Sequence, residues 1–154
     1  MLEKFNNITK DELRDLLDAI PLITLLIASS DGKIDTKETD WGKKIARIRS
    51  YNYDAELKAY YMQVGKDFTE RINFFSSELP KDVNERTEAI SNKLAHLNPI
   101  LAKIDEDLAL DLYTSFRSFA KHVAKATGGF LGFAKMGPKE SALVELNMIH
   151  PVEF

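Results

Sequence analysis

Three carboxylates fall within eight residues in the run Asp31-Gly32-Lys33-Ile34-Asp35-Thr36-Lys37-Glu38. Carboxylates at this spacing can converge on one edge of a glycine turn, an arrangement that suits a hard divalent cation such as Ca²⁺ or Mg²⁺. Set on a calcium-binding loop, Asp31, Gly32, Asp35 and Glu38 fall on the fifth, sixth, ninth and twelfth positions. The front half of such a loop is missing, because Ile27 would stand first with no side-chain oxygen and Ser29 third. The same residues also read as helix punctuation. Gly32 turns the chain, Ile34 enters the core, and Asp35 with Glu38 forms a capping box. Asp31, Asp35 and Glu38 are therefore candidate cation ligands, with a purely structural reading open beside them.

The rest of the chemistry-bearing residues are sparser. His96, His122 and His150 lie far apart, and no HExxH or GxSxG pattern nominates a nucleophile or a metal centre. With no cysteine, thiol catalysis and thiolate zinc sites are excluded. The expectation is a non-enzymatic protein with no catalytic residue. The alternative is a small helical-bundle enzyme or ligand-binding protein using His122, which flanks a core stripe, and the acidic cluster Asp105 to Asp111. The loop from Gly132 to Lys139 falls short of a phosphate-binding loop, since Pro138 stands where the lysine is required. Lys43, Lys44, Arg47 and Arg49, near Tyr51 and Tyr53, read as a solvated helix face. With a net charge of −3 and no nucleic-acid module, no nucleic-acid partner is expected.

Helices must position these groups. The chain has 154 residues, 44% of them hydrophobic and 29% charged, the composition of an ordinary globular domain. Thr9-Lys10-Asp11-Glu12 is a capping box that starts a helix at Lys10. Pro21 predicts a kink or break near Asp18 to Ile20, because it lacks an N–H and crowds the carbonyl of Leu17. Leu22 to Ile27 is apolar nearly all round, as a buried helix is. A second helix is expected from about Thr36 to Arg49 with Trp41, Ile45 and Ile48 on its inner stripe. A long one follows from Asp54 to about Glu78, with Leu57, Tyr60, Tyr61, Val64, Phe68, Ile72 and Phe75 inward. A thinner stripe, Val83, Thr87, Ile90, Leu94 and Leu97, ends at Asn98-Pro99. Asp105-Glu106-Asp107 opens the next helix, with Leu112, Tyr113, Phe116, Phe119, Ala120 and Val123 on its core face, and Gly128-Gly129 closes it. Pro138 opens a last helix through about Ile149.

No alternating strand pattern is present, so the fold expected is all-α: one compact bundle over residues 1–154, of about six to seven helices. Leu22 to Ile45 and Phe119 to Val144 form a weak repeat of helical hairpins, each with an apolar helix, a glycine turn and a helix carrying Glu in its first turn, Glu38 and Glu140 respectively. The longest apolar stretch, Ala19 to Ala28, is about half the ~20 residues of a membrane span. The first residues lack a signal-peptide pattern, so a cytoplasmic location is expected.

Ala28-Ser29-Ser30-Asp31-Gly32-Lys33-Ile34-Asp35 with Glu38, after a buried helix, resembles the TerB-like family, named for tellurite-resistance proteins and also found at the front of some membrane-anchored J-domain co-chaperones. The match is at Asp31, Gly32, Ile34 and Glu38. The family's second turn would fall at Thr127 to Glu140, where the glycines and Glu140 correspond and the aspartate is missing. The resemblance covers roughly residues 20–50 and 115–149 and leaves 51–104 unmatched. It implies two pseudo-repeated hairpins, a divalent-cation site to which Glu140 would add a further ligand, and a protein partner in a stress-linked assembly.

Overall fold

The computed structural model describes residues 5–28, 36–52, 55–125 and 143–151. The regular elements among them are all helices: α1 (Lys10–Ala28), α2 (Thr36–Asn52), α3 (Ala55–Glu78), α4 (Val83–Ala95), α5 (Leu97–Leu101) and α6 (Glu106–Ala124). Five are long and α5 is a single turn, so the long helices among the described residues number fewer than the six to seven helices expected.

Helix α1 begins as the capping box requires. The Thr9 N–H donates to Glu12 Oε1 at 3.0 Å, and the Glu12 N–H donates to Thr9 Oγ1 at 3.0 Å. Of the kink or break expected near Asp18 to Ile20, the break does not occur, and α1 runs unbroken through Pro21. Every residue from Leu16 to Ala28 is buried, and α1 packs against each of the other five helices. A proline inside a helix costs about 3 kcal/mol, which burial of several large apolar side chains outweighs. The polar atoms of this stretch also find donors: Tyr60 Oη donates to the Leu16 carbonyl at 2.5 Å, and Thr24 Oγ1 donates to the Ile20 carbonyl at 2.8 Å.

Helix α2 turns a different face inward from the one its apolar residues suggest. Of the expected inner stripe, Ile48 is 55% exposed, Ile45 is half-buried against the core and the Trp41 side chain lies outside the described residues, whereas Gly42, Ala46 and Arg49 are buried. The reason is a close approach to α1, where a Cβ placed on Gly42 would lie 2.6 Å from Thr24 Cγ2. Small residues let the two backbones meet, and Ile48 is left on the far side. Lys43, Lys44 and Arg47 face water as expected, but Arg49 does not belong to that face.

The core stripe of α3 is the expected one, with all seven named residues buried. At Asp67 the helix kinks, with φ −132° and ψ 21°. Helix α4 is capped by Asp82, which accepts from the Glu85 N–H at 3.0 Å, and buries Ile90 and Leu94. Asn98 and Pro99 lie inside α5 instead of ending the preceding helix. The Asn98 amide clamps the C-terminal segment, donating to the Met148 carbonyl at 3.0 Å and accepting from the His150 N–H at 2.8 Å.

Asp105 caps α6 through the Leu108 N–H at 3.1 Å, and Leu112, Phe116, Phe119, Ala120 and Val123 are buried on its core face. The last helix does not reach Ile149. Among the described residues only Leu143 and Val144 of that segment are helical, and a turn follows in which Leu146 takes φ 55°. That conformation is strained for leucine, and its side chain is fully buried, so apolar packing opposes the backbone cost. No helix among the described residues is long and apolar enough to cross a membrane.

Candidate binding cleft on helix α6

Of the residues singled out for cation binding, Asp31, Asp35 and Glu140 lie outside the described residues. Glu38 is in the first turn of α2, with its side chain also outside them. The loop from Gly132 to Lys139 and the left-handed turn expected at Gly32 lie outside as well. Among the described residues no three His, Asp or Glu side chains come together in a way that could hold a metal ion. His122 and the acidic cluster share α6 but sit at opposite ends of it. A rise of 1.5 Å per residue separates His122 from Asp111 by about 16 Å and from Asp105 by about 25 Å, too far for one site. Asp105 is engaged as a helix cap.

Two polar networks do form. In the first, Asp18 is 5% exposed and receives Arg71 side-on, Nε at 2.9 Å and Nη2 at 2.8 Å, together with Arg14 Nε at 3.1 Å. Arg14 Nη1 also reaches Asp67 Oδ2 at 2.7 Å, where α3 kinks. Arg71 lies over the rings of Phe74 and Phe75, with its Cζ 4.6 Å and 5.0 Å from their centroids. A cleft of about 270 Å³ opens here, lined also by Asp15, Lys93 and His96. Partial burial, helped by the Asp18 charge, pushes the Asp15 carboxyl above its usual range. Its main carboxylate, Asp18, is held by two arginines, which makes this a brace between α1 and α3.

The second network supports the outer face of α6. Arg49, 6% exposed, crosses from α2 and donates through Nη1 to the Ser115 carbonyl at 3.1 Å and to Ser115 Oγ at 2.9 Å. Its Nη2 donates to Ser118 Oγ at 2.9 Å and to His122 Nδ1 at 2.9 Å. Tyr61 and Phe119 flank its guanidinium, with ring centroids 5.7 Å and 5.6 Å from Cζ. A guanidinium only donates, so His122 Nδ1 is the acceptor and the ring proton belongs on Nε2. Burial, then the Arg49 and Lys125 charges, hold the His122 pKa below its ordinary value, so the ring is neutral near pH 7.

Over this support lies an open cleft of about 550 Å³, lined by Tyr113, Thr114, Arg117, Ser118, Lys121, His122, Lys125 and Glu145. Arg117, Lys121 and Lys125 recur every four residues and so stack along one helix face. Glu145 comes from the C-terminal segment to pair with Arg117, and its other oxygen lies 3.6 Å from Lys121 Nζ. Hydrogen bonding from Arg117, then the Lys121 charge, lower the Glu145 pKa. Nothing in the chain's composition singles out this face, because the protein as a whole is acidic. The four-residue spacing of its cations is legible in the sequence, whereas the roles of Arg49 and Glu145 depend on contacts 66 to 73 and 28 residues away. Comparison with protein-family models, with curated proteins and with solved structures finds no match to this chain.

Proposed function

We propose that this protein is a non-enzymatic, TerB-like binding domain of the cytoplasm that acts through protein contacts in a stress-linked assembly. A divalent cation held by Asp31, Asp35 and Glu38, with Glu140 from the second of two pseudo-repeated hairpins, would modulate it. The observation that carries the contact reading is the cleft on α6. Three cations stand there on the outside of an apolar core, beside a serine and a histidine that a buried arginine holds from behind. An exposed, preorganised polar surface suits docking of another chain.

The alternative, an enzyme or ligand-binding bundle centred on His122, draws less support. The His122 Nδ1 lone pair is engaged by Arg49, and the Asp105 to Asp111 cluster lies about 16–25 Å away along the helix. A photo-cross-linking residue placed at Thr114 in the cleft, compared with one at exposed Lys66 on α3, tests the contact reading in extracts of the native host. Adducts specific to Thr114 support it. Equal labelling at both positions, or a hydrolytic activity abolished by His122→Ala, refutes it. For the cation, Ca²⁺ or Mg²⁺ at fixed ionic strength should raise the melting temperature of the wild type and leave the double variant Asp31→Asn, Glu38→Gln unmoved. No cation-specific gain at millimolar concentration removes that part of the reading.

A further inference from the structure

We infer that the α6 cleft recognises an acidic peptide in extended conformation, with carboxylates on alternate residues. The inference rests on the protein-contact reading above and names the chemistry of the partner. The spacing is its first support. Arg117, Lys121 and Lys125 are each one four-residue step apart, which is a rise of about 6 Å. Alternate side chains of an extended strand are spaced by about 6.6 Å, so acidic residues at every second position of a strand laid along α6 meet successive cations.

Glu145 is the second support. It arrives from a segment 28 residues beyond Arg117 and places its carboxylate against Arg117 and Lys121, so this fold already docks one carboxylate on two of the three rungs. The third rung, Lys125, is exposed, and the donors around it are prepared. Ser118 Oγ accepts from Arg49, which leaves its own proton to be given to an incoming oxygen. His122 accepts from Arg49 at Nδ1, which leaves Nε2–H as the ring's donor. Behind both stands the buried Arg49 charge. Tyr113, whose ring centroid lies 5.6 Å from the Arg117 guanidinium carbon, also lines the cleft and offers an aromatic surface to the strand's backbone and methylenes. Glu145 is then a resident that an incoming strand displaces.

Fluorescence anisotropy with the labelled peptide Glu-Ser-Glu-Ser-Glu tests the assignment, with Gln-Ser-Gln-Ser-Gln as the uncharged control and Glu-Glu-Glu-Ser-Ser as the misspaced one. Saturable binding with Kd below about 1 mM is expected, at least several-fold weaker for the misspaced peptide and absent for the uncharged one. Lys121→Gln with Lys125→Gln should weaken binding at least tenfold, while the charge-matched pair Lys43→Gln with Lys66→Gln on other helices should not. Circular dichroism confirms that each variant is folded. Glu145→Gln should tighten binding several-fold by removing the resident negative charge from the two occupied rungs, and Glu70→Gln, an equal change of charge on α3, should leave it unchanged. Equal losses from the two lysine pairs, equal binding of the two acidic peptides, or displacement by millimolar inorganic phosphate as effective as by peptide would each overturn the inference. Failure here with Thr114-specific cross-links intact sinks the acidic-strand assignment alone, whereas loss of those cross-links sinks the contact reading itself.

Discussion

Replacing glycine by alanine inside a helix usually stabilises a protein, and this chain contains one glycine where the sign should reverse and one where it should not. Alanine gains up to about 1 kcal/mol over glycine in a helix interior. At Gly42 a new Cβ would lie 2.6 Å from Thr24 Cγ2 and 2.8 Å from Thr24 Oγ1. Thr24 is fully buried and its hydroxyl is bonded to the Ile20 carbonyl, so it has no room to rotate away. Against a neighbour that cannot move, overpacking falls in the upper part of its range of about 1–3 kcal/mol, about 2–3 kcal/mol, which leaves a net loss of about 1–2 kcal/mol after the propensity gain. At Gly65, in α3, a Cβ meets nothing within 4 Å, so the full gain of about 0.5–1 kcal/mol remains. A change of 1 kcal/mol moves the melting temperature of a domain this size by about 2–4 °C. Differential scanning calorimetry should therefore show Gly42→Ala melting about 2–8 °C lower and Gly65→Ala about 1–4 °C higher. Thr24→Ala removes both clashing atoms, and in that background Gly42→Ala should lose most of its penalty. A Gly42→Ala protein as stable as wild type, or a penalty that persists without Thr24, would refute the close approach of α1 and α2.

Asp18→Asn should lower stability by about 2–3 kcal/mol in urea unfolding, because it leaves Arg14 and Arg71 facing a neutral amide in a nearly buried position; a cost near zero would show that the brace between α1 and α3 contributes nothing. Tyr60→Phe should cost about 1–2 kcal/mol, since it removes the buried hydrogen bond from the Tyr60 hydroxyl to the Leu16 carbonyl, and the loss should vanish if that contact is unimportant. His122 makes stability pH-dependent. Its folded pKa is lowered, so the unfolded chain takes up the proton first as pH falls, and the contribution present above the ordinary value of 6.5 is lost as pH drops through the folded pKa. Melting temperature should fall as the pH drops below about 6.5, and His122→Gln should flatten that slope without altering the loss at lower pH from carboxylates such as Glu145.

The helical content of this protein was decided locally. The Thr9 to Glu12 box starts α1, Asp105 starts α6, and the three- and four-residue recurrence from Leu57 to Phe75 sets the buried face of α3. Each is a short-range property of neighbouring residues, and that is why each can be read in one dimension. Tertiary contact decided the rest. Pro21 marks a break by its own chemistry, yet α1 stays whole because five helices pack around it and bury its apolar side chains. Ile48 looks like core and Arg49 like surface, yet Gly42 brings α2 so close to α1 that the helix rolls, exposing the isoleucine and turning the arginine inward to α6. The α6 cleft depends on that same roll. Its lysines and arginine are visible as a row in the sequence, but the neutral tautomer of His122, the support under Ser118 and the carboxylate of Glu145 exist only once segments far apart in the chain are packed together, because a hydrogen bond is fixed by distances that spacing along the chain does not determine.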